Sequence, residues 1–382
     1  MSKYIFADGF QEILDKYIFS FLENEQDVLT GKKHIFDEVY KPLLDKQGVS
    51  FVNMAVGGER PVQVIYSDTD KFRFWDAHKK LDVLNTELEA GCDSFVLCKT
   101  AADIDYAIEN NKIAILATLA GGYPLEGKPN LNLLSSLRSL YRMGLRCLQL
   151  TGNGRNRLAD GCAQNRTRGK LTGFGVQVVK EAERLGMVLD TSQLSDYGFY
   201  DVLEQTNNLV IDSHTGCYDI CPHPRNISKE RIEAIASRGG VVCISFRAAL
   251  LVGADEEKAT VEDLLKHIDY AVKVAGIDHV GLGPDYGSFQ TPVDRKSVIG
   301  IGNLGPHFCE MNYQTPFSSQ KYPGWVDGIW YGIREDDFVE GPNCRENYPM
   351  LRDILLNHGY SEEDCAKIMG LNIINAYKKV IK

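Results

Sequence analysis

The sequence predicts a single (β/α)8 TIM barrel, and three observations carry that prediction. Short β-branched runs alternate from end to end with amphipathic stretches of roughly 10 to 20 residues, the signature of repeated βα units. The 382 residues, 44% of them hydrophobic, suffice for a large core, and barrels of this class run past about 250 residues as one domain. The strand ends carry polar and charged residues, which is where barrel enzymes keep their chemistry.

Taken in order, the strand runs are Tyr4 to Ala7, Val49 to Ala55, Ser94 to Lys99, Ile113 to Ala120, Cys147 to Thr151, Met187 to Asp190, Leu209 to Asp212, Val241 to Phe246 and His279 to Gly283. Nine runs exceed the eight a barrel needs, so one lies outside it, and the third has the weakest pattern. Phe174 to Leu185 and Val261 to Val274 repeat apolar residues at three- and four-residue spacing, as amphipathic helices do. Ser228 and Ser361 stand as N-caps with acids following in the first turn, the second before a closing helix to Lys382. Ser288 to Asn347 is rich in Gly, Pro, Tyr and Trp without periodicity and reads as a long insertion over one barrel mouth. The expected organisation is one domain, 1–382, with that irregular insertion at about 288–347 and C-terminal helices over 348–382.

Composition narrows the function. A formal net charge of −10 without a long Lys/Arg run argues against a nucleic-acid partner, which needs a concentrated basic face. A small-molecule substrate is expected instead. The opening residues lack the apolar core of a signal peptide, and no apolar run approaches the roughly 18 residues of a membrane span, so a cytoplasmic protein is expected. Ten cysteines fall far below the density of a disulfide scaffold, and Cys98, Cys147 and Cys243 sit in apolar runs as reduced core thiols. His214, Cys217, Cys221 and His223 cluster in sequence, yet their spacing fits no zinc pattern.

The strand ends to inspect are Asp8 to Glu12, Ala120 to Gly122, Gly152 and Asn153, Asp190 to Gln193, Asp212 to His214, Phe246 and Arg247, and Pro284 to Tyr286. Several carry longer matches. Leu148-Gln149-Leu150-Thr151-Gly152-Asn153, the run Leu185 to Asp196, Ser213-His214 with Cys221-Pro222-His223-Pro224-Arg225-Asn226, and Gly276-Ile277-Asp278-His279-Val280-Gly281-Leu282-Gly283-Pro284-Asp285 resemble the renal (membrane) dipeptidase family of zinc metallopeptidases. Tyr348-Pro349 through Gly370-Leu371-Asn372 is similar to that family's C-terminal helices. The resemblance implies an amidohydrolase-like barrel, a dipeptide substrate and a homodimer. It spans most of the chain outside the insertion and the segment from about Ser20 to Lys112.

The departures concern the metal. The resemblance implies two zinc ions held by a His-x-Asp, a bridging Glu and two single histidines, but here those positions hold Phe10 and Glu12, Ala120, Gln193 and His214. The substrate-side His position holds Gly152, while Arg225 and Asp285 are retained. Zinc needs nitrogen, thiolate or carboxylate donors, and catalytic sites keep about three from the protein. A benzyl ring and a methyl group offer none, so no family zinc centre is expected. A single metal on Glu12, His214 and Asp285 is the minority alternative.

Candidate catalytic residues are therefore His214, Asp285 and Glu12, and candidate substrate-binding residues are Arg225, Arg247, Gln193, Asn153 and Tyr286. An Arg fork matches a carboxylate's two oxygens, and Arg247 adds positive potential where metal charge is gone. Tyr123, Trp325 and Trp330 are candidate pocket linings, and Cys217 a remote candidate nucleophile. The expected activity is acid/base chemistry on a dipeptide-like or amino-acid-derived small molecule: isomerisation, elimination or metal-free hydrolysis. A mononuclear dipeptidase and a non-catalytic binding protein remain open alternatives.

Overall fold

The computed structural model describes residues 5–12, 15–57, 70–126, 134–253, 259–285, 339 and 348–381. Nine parallel strands form one sheet: β1 (Phe6–Glu12), β2 (Val49–Ala55), β3 (Phe95–Leu97), β4 (Ile113–Ala120), β5 (Leu145–Gln149), β6 (Val188–Asp190), β7 (Val210–Thr215), β8 (Val242–Ile244) and β9 (Val280–Leu282). Their order is β1-β2-β4-β5-β6-β7-β8-β9, with β3 off this path and paired to β4. Eight strands thus make a nearly closed barrel with helices between them. The ninth, the three-residue run with the weakest sequence pattern, stands beside it and pairs only with Ile113, Ala114 and Ile115.

Strand alternation explains the two core layers. Phe51, Ala114, Leu116, Cys147, Val188 and Cys243 face inward and form one buried cluster with Ile373 and Tyr377 of the last helix, Asn372–Val380. Their neighbours Val52, Met54, Ile115, Ala117, Leu148, Leu189 and Val242 belong to the cluster under the surrounding helices. Further along the same inward rows, toward the strand C-termini, stand Asn53, Thr118, Gln149 and Asp190, all buried and polar. The inward rows thus run from hydrocarbon at the base to polar side chains toward the mouth, and the register of β5 with β6 sets Gln149 beside Asp190.

The C-terminal elements cover the seam between β9 and β1. The Tyr348 hydroxyl donates to the Ala7 carbonyl at 3.0 Å, and the Asn372 amide donates to the carbonyls of Ile277 and Val280 at 2.7 and 2.8 Å. The expected closing helix is interrupted: Glu362–Ala366 passes into a π-type turn, Lys367–Leu371, before Asn372–Val380. Gly370 sits in that turn against β1, where a Cβ would lie 2.4 Å from the Ile5 carbonyl oxygen. A helix with side chains all round could not press so close.

The helix starts behave as their sequences predict. Ser228 and Ser361 accept from the amides of Arg231 and Asp364, and the two periodic stretches form Gly173–Leu185 and Val261–Ala275. Of the insertion 288–347, only Val339 lies within the described residues; it is buried and donates its amide to Phe246. No helix among the described residues is long and apolar enough to cross a membrane.

Candidate active site

The mouth is organised by irregularities at strand ends. In β1, Asp8 accepts the Phe10 amide at 3.1 Å, and the pairing with β2 shifts between Asp8 and Gln11. The intervening Gly9 lies close against the neighbouring strands: a Cβ there would stand 2.6 Å from the Leu282 carbonyl oxygen and 3.0 Å from that of Ser213. This bulge delivers the Phe10 ring onto the imidazole of His214, with centroids 4.0 Å apart and planes at 22°. Phe10 also packs with Ala55 and Ala120 in a small buried cluster. Hydrocarbon therefore occupies two of the positions where the resemblance expects metal ligands.

His214, on β7, is buried and held from both ring nitrogens. Its Nδ1 lies 2.8 Å from the Ser213 hydroxyl, and that hydroxyl donates to Asp190 Oδ2 at 2.5 Å. Because the serine proton goes to Asp190, Nδ1 must carry the imidazole proton, which leaves Nε2 with its lone pair. Nε2 faces the Gln193 amide nitrogen at 3.4 Å, and Gln193 Oε1 accepts from Gln149 at 3.1 Å. Donors and acceptors thus run consistently from Asp190 through Ser213 and His214 to Gln193 and Gln149. Burial, and then the positive charges of Arg225 and Arg247, push the His214 pKa well below the usual imidazole range, so its resting form is neutral.

Gln193 has a left-handed backbone, φ 65°, uncommon for a non-glycine residue. Its carbonyl is fixed by the Cys162 amide at 2.7 Å and the Thr151 hydroxyl at 3.4 Å, so surrounding bonds stabilise the conformation that aims its side chain at His214. Gly152 faces the same space, since a Cβ there would meet Gln193 Oε1 at 3.5 Å. Asn153 is half-buried, and its Oδ1 accepts from the Cys162 thiol at 3.3 Å.

Two arginines behave differently. Arg225 is 3% exposed and donates Nη2 to the His214 carbonyl at 2.6 Å, while its Nη1 is buried with no partner among the described residues. Arg247 donates Nε to Asp285 Oδ2 at 3.0 Å and Nη2 to the Asp285 carbonyl at 2.8 Å. Asp285, itself left-handed at φ 62°, is therefore clamped by Arg247. The sequence names both arginines as substrate-binding candidates; the structure sets Arg247 against Asp285 and Arg225 against the His214 carbonyl. The Glu12 side chain, Tyr286, Trp325 and Trp330 lie outside the described residues, although Glu12 ends β1.

Beneath the imidazole lies a buried acid network that sequence reasoning passed over. Asp190 is buried and its pKa is raised by desolvation, against hydrogen bonds from Ser213 and Ser192. Asp212 accepts from the Ser192 hydroxyl at 2.8 Å, faces Arg231 at 3.4 Å, and is pushed up to about 6, chiefly by burial. Both acids belong to strand ends singled out in the sequence. The missed signal was Ser213 beside His214, and Gln149 set between the apolar Leu148 and Leu150. Cys217 is not activated: burial raises its pKa to about 12, and its thiol donates to the His267 carbonyl. Nor do Cys217, Cys221, His214 and His223 converge. Among the described residues, the His/Cys/Asp/Glu group within metal reach is His34, Glu87 and Cys92.

Comparison with known proteins gives the family and the fold. A family model described as membrane dipeptidase (peptidase family M19) matches residues 47–304. The chain belongs to the membrane dipeptidase family. It is 32% identical over 235 residues to an uncharacterized dipeptidase of Schizosaccharomyces pombe, covering 60% of this chain and 54% of that one. It is 28% identical over 235 residues to an uncharacterized Klebsiella pneumoniae protein of the pqqA 5' region, covering 59% and 84%. The chain thus spans about half the length of the yeast relative. Two solved structures share the fold of this membrane dipeptidase family member at 18% identity and TM-scores of 0.72. They are dipeptidase AC of family M19, covering 100% and 99% of the two chains, and a Rhodobacter sphaeroides metallopeptidase liganded with a phosphinate mimic of L-Ala-D-Ala, covering 98% and 99%.

Proposed function

We propose that this barrel is an enzyme acting on a dipeptide-like or amino-acid-derived small molecule by acid/base chemistry centred on His214, without the family's two-zinc centre. The observation that carries the reading is the pair formed by the neutral His214 imidazole and the half-satisfied guanidinium of Arg225, whose Nη1 is buried and unpartnered. A buried cationic donor without a partner is costly and calls for an anion. The family supplies the class: a relative of the same fold is liganded with a dipeptide mimic. Phe10 and Ala120 provide no donor atoms for zinc, so no step is routed through a metal.

In this reading Arg225 receives the substrate carboxylate on Nη1. Its positive charge, one of the causes that hold His214 deprotonated, is then neutralised. The imidazole becomes a stronger base once substrate is bound. Nε2 accepts a proton from the substrate or from a water, while Ser213 and Asp190 hold the Nδ1 proton and so fix the tautomer. Gln193 presents amide hydrogens beside Nε2, where a developing oxyanion would be stabilised. Asp285, steadied by Arg247, is the second acid/base candidate.

The test is a panel of dipeptides and amino-acid amides assayed with protein stripped by chelator. The expected result is chelator-resistant turnover, abolished in H214N, with KM raised about tenfold or more in R225K, which keeps the charge but loses the fork. Turnover that needs added metal although the stripped chain is folded would overturn the reading, as would an inert panel or two metal ions at the barrel mouth.

A further inference from the structure

The end of the barrel opposite the mouth carries a second constellation, independent of the His214 site. His34 lies between helix Asp15–Leu29 and the π-type turn Phe36–Tyr40. Glu87 is in the last turn of helix Asp70–Glu89, and Cys92 follows in the connection to β3. The Cys92 connection feeds the N-terminal end of β3, and the His34 segment leads through Phe36–Tyr40 and Lys41–Gln47 to that of β2, the face that barrels use for stability rather than chemistry. One ligand atom from each of His34, Glu87 and Cys92 lies within 4.8 Å of the others.

The Cys92 thiol contacts the Ser94 hydroxyl at 3.8 Å, but oxygen and nitrogen atoms beside it are unsatisfied. Glu87 is 0% exposed; its Oε1 accepts the Ile35 amide at 2.8 Å, which accounts for one oxygen as a helix cap. Its Oε2 is buried with no hydrogen-bond partner, and so is His34 Nδ1, although the two face each other at 3.8 Å. Asp37 adds a third such atom, Oδ1. Asp37 and Glu38 also place like charge beside the buried Glu87. An ordinary ion pair would close to hydrogen-bond distance, and a mere cap would leave Oε2 toward water. A buried carboxylate oxygen, a buried thiol and the nitrogen of a partly exposed histidine that converge without hydrogen-bonding one another are the arrangement of an open coordination sphere.

We propose that His34, Glu87 and Cys92 bind a divalent transition-metal ion of zinc's class, as a structural clip joining the segment before β2 to the segment before β3. Zinc takes this mixed set at about 2.0–2.3 Å, which requires the three atoms to draw together by on the order of 1 Å from the 4.8 Å limit. The metal displaces the Cys92 thiol proton to solvent, and the thiolate with the Glu87 carboxylate balances the dication; the Asp37 carboxylate adds negative charge nearby. The soft thiolate favours zinc or cobalt over magnesium or calcium.

The test uses the full chain stripped with chelator and titrated with Zn2+ against a chromophoric competitor, then with Co2+. The expected result is one tight equivalent of zinc, a cobalt complex with a thiolate charge-transfer band, and a zinc-dependent rise in melting temperature. H34A and C92S should each weaken binding tenfold or more, whereas C98S and H214A should not. Should a variant fail to fold, the unsubstituted chain still reports, because zinc should slow alkylation of Cys92 but not of Cys98. No uptake, uptake unchanged in H34A and C92S, uptake lost in H214A, or Cys92 alkylation indifferent to zinc would each overturn the proposal.

Discussion

The properties of His214 follow from what touches it. Buried beneath Phe10 and beside two arginines, its folded-state pKa lies below its unfolded value. The unfolded chain then takes up a proton, below the usual imidazole value of about 6.5, that the folded chain refuses. Stability from this group is present above that value and lost as pH falls, at about 1.4 kcal/mol per pH unit. Buried Asp212, pushed up to about 6, works in the opposite sense, so the imidazole is read as a difference: between about pH 7 and about pH 5, denaturant titrations should show the natural chain losing stability relative to H214N by up to that slope. An equal slope in both would mean the imidazole is already solvated. Phe10 makes a second residue-scale prediction: F10A removes a buried ring and its stack on His214, and should cost about 3 kcal/mol or more in unfolding free energy.

At the scale of single elements, capping and close approach decide outcomes. Ser361 caps Glu362–Ala366 by accepting from the Asp364 amide at 3.1 Å, and S361A should lower stability by about 1 kcal/mol, read as a fall in melting temperature. Gly9 leaves no room for a side chain between β1, β7 and β9. G9A should destabilise by about 3 kcal/mol and displace Phe10, with thermal unfolding and near-UV circular dichroism as measurements. The helices with serine caps and three- to four-residue periodicity were legible in the sequence because both signals are local. The π-type turn at Lys367–Leu371 was not, since Gly370 interrupts the helix to let β1 approach, a demand that comes from 360 residues earlier in the chain.

At the scale of the whole molecule, the described residues form no β9 to β1 ladder, and the C-terminal segment covers that seam. Asn372 bridges two carbonyls near β9 and Tyr348 reaches β1. N372A should therefore raise hydrogen exchange at β1 and β9 more than at β4 and β5, with a loss of about 2 kcal/mol. Uniform exchange across the barrel would show that the seam is held elsewhere.

Alternation of strand and helix patterns, strand-end polarity and the runs around Ser213, Arg225 and Asp285 determined the barrel and the family, because each is written in neighbouring residues. So was the absence of donor atoms at positions 10 and 120. Tertiary structure alone decided partnership: that Phe10 stacks on His214, that Arg247 holds Asp285 while Arg225 keeps one hand open, and that His34, Glu87 and Cys92 meet. Such contacts join side chains tens to hundreds of residues apart, and their distances depend on bulges, left-handed residues and close-packed glycines that local patterns do not encode.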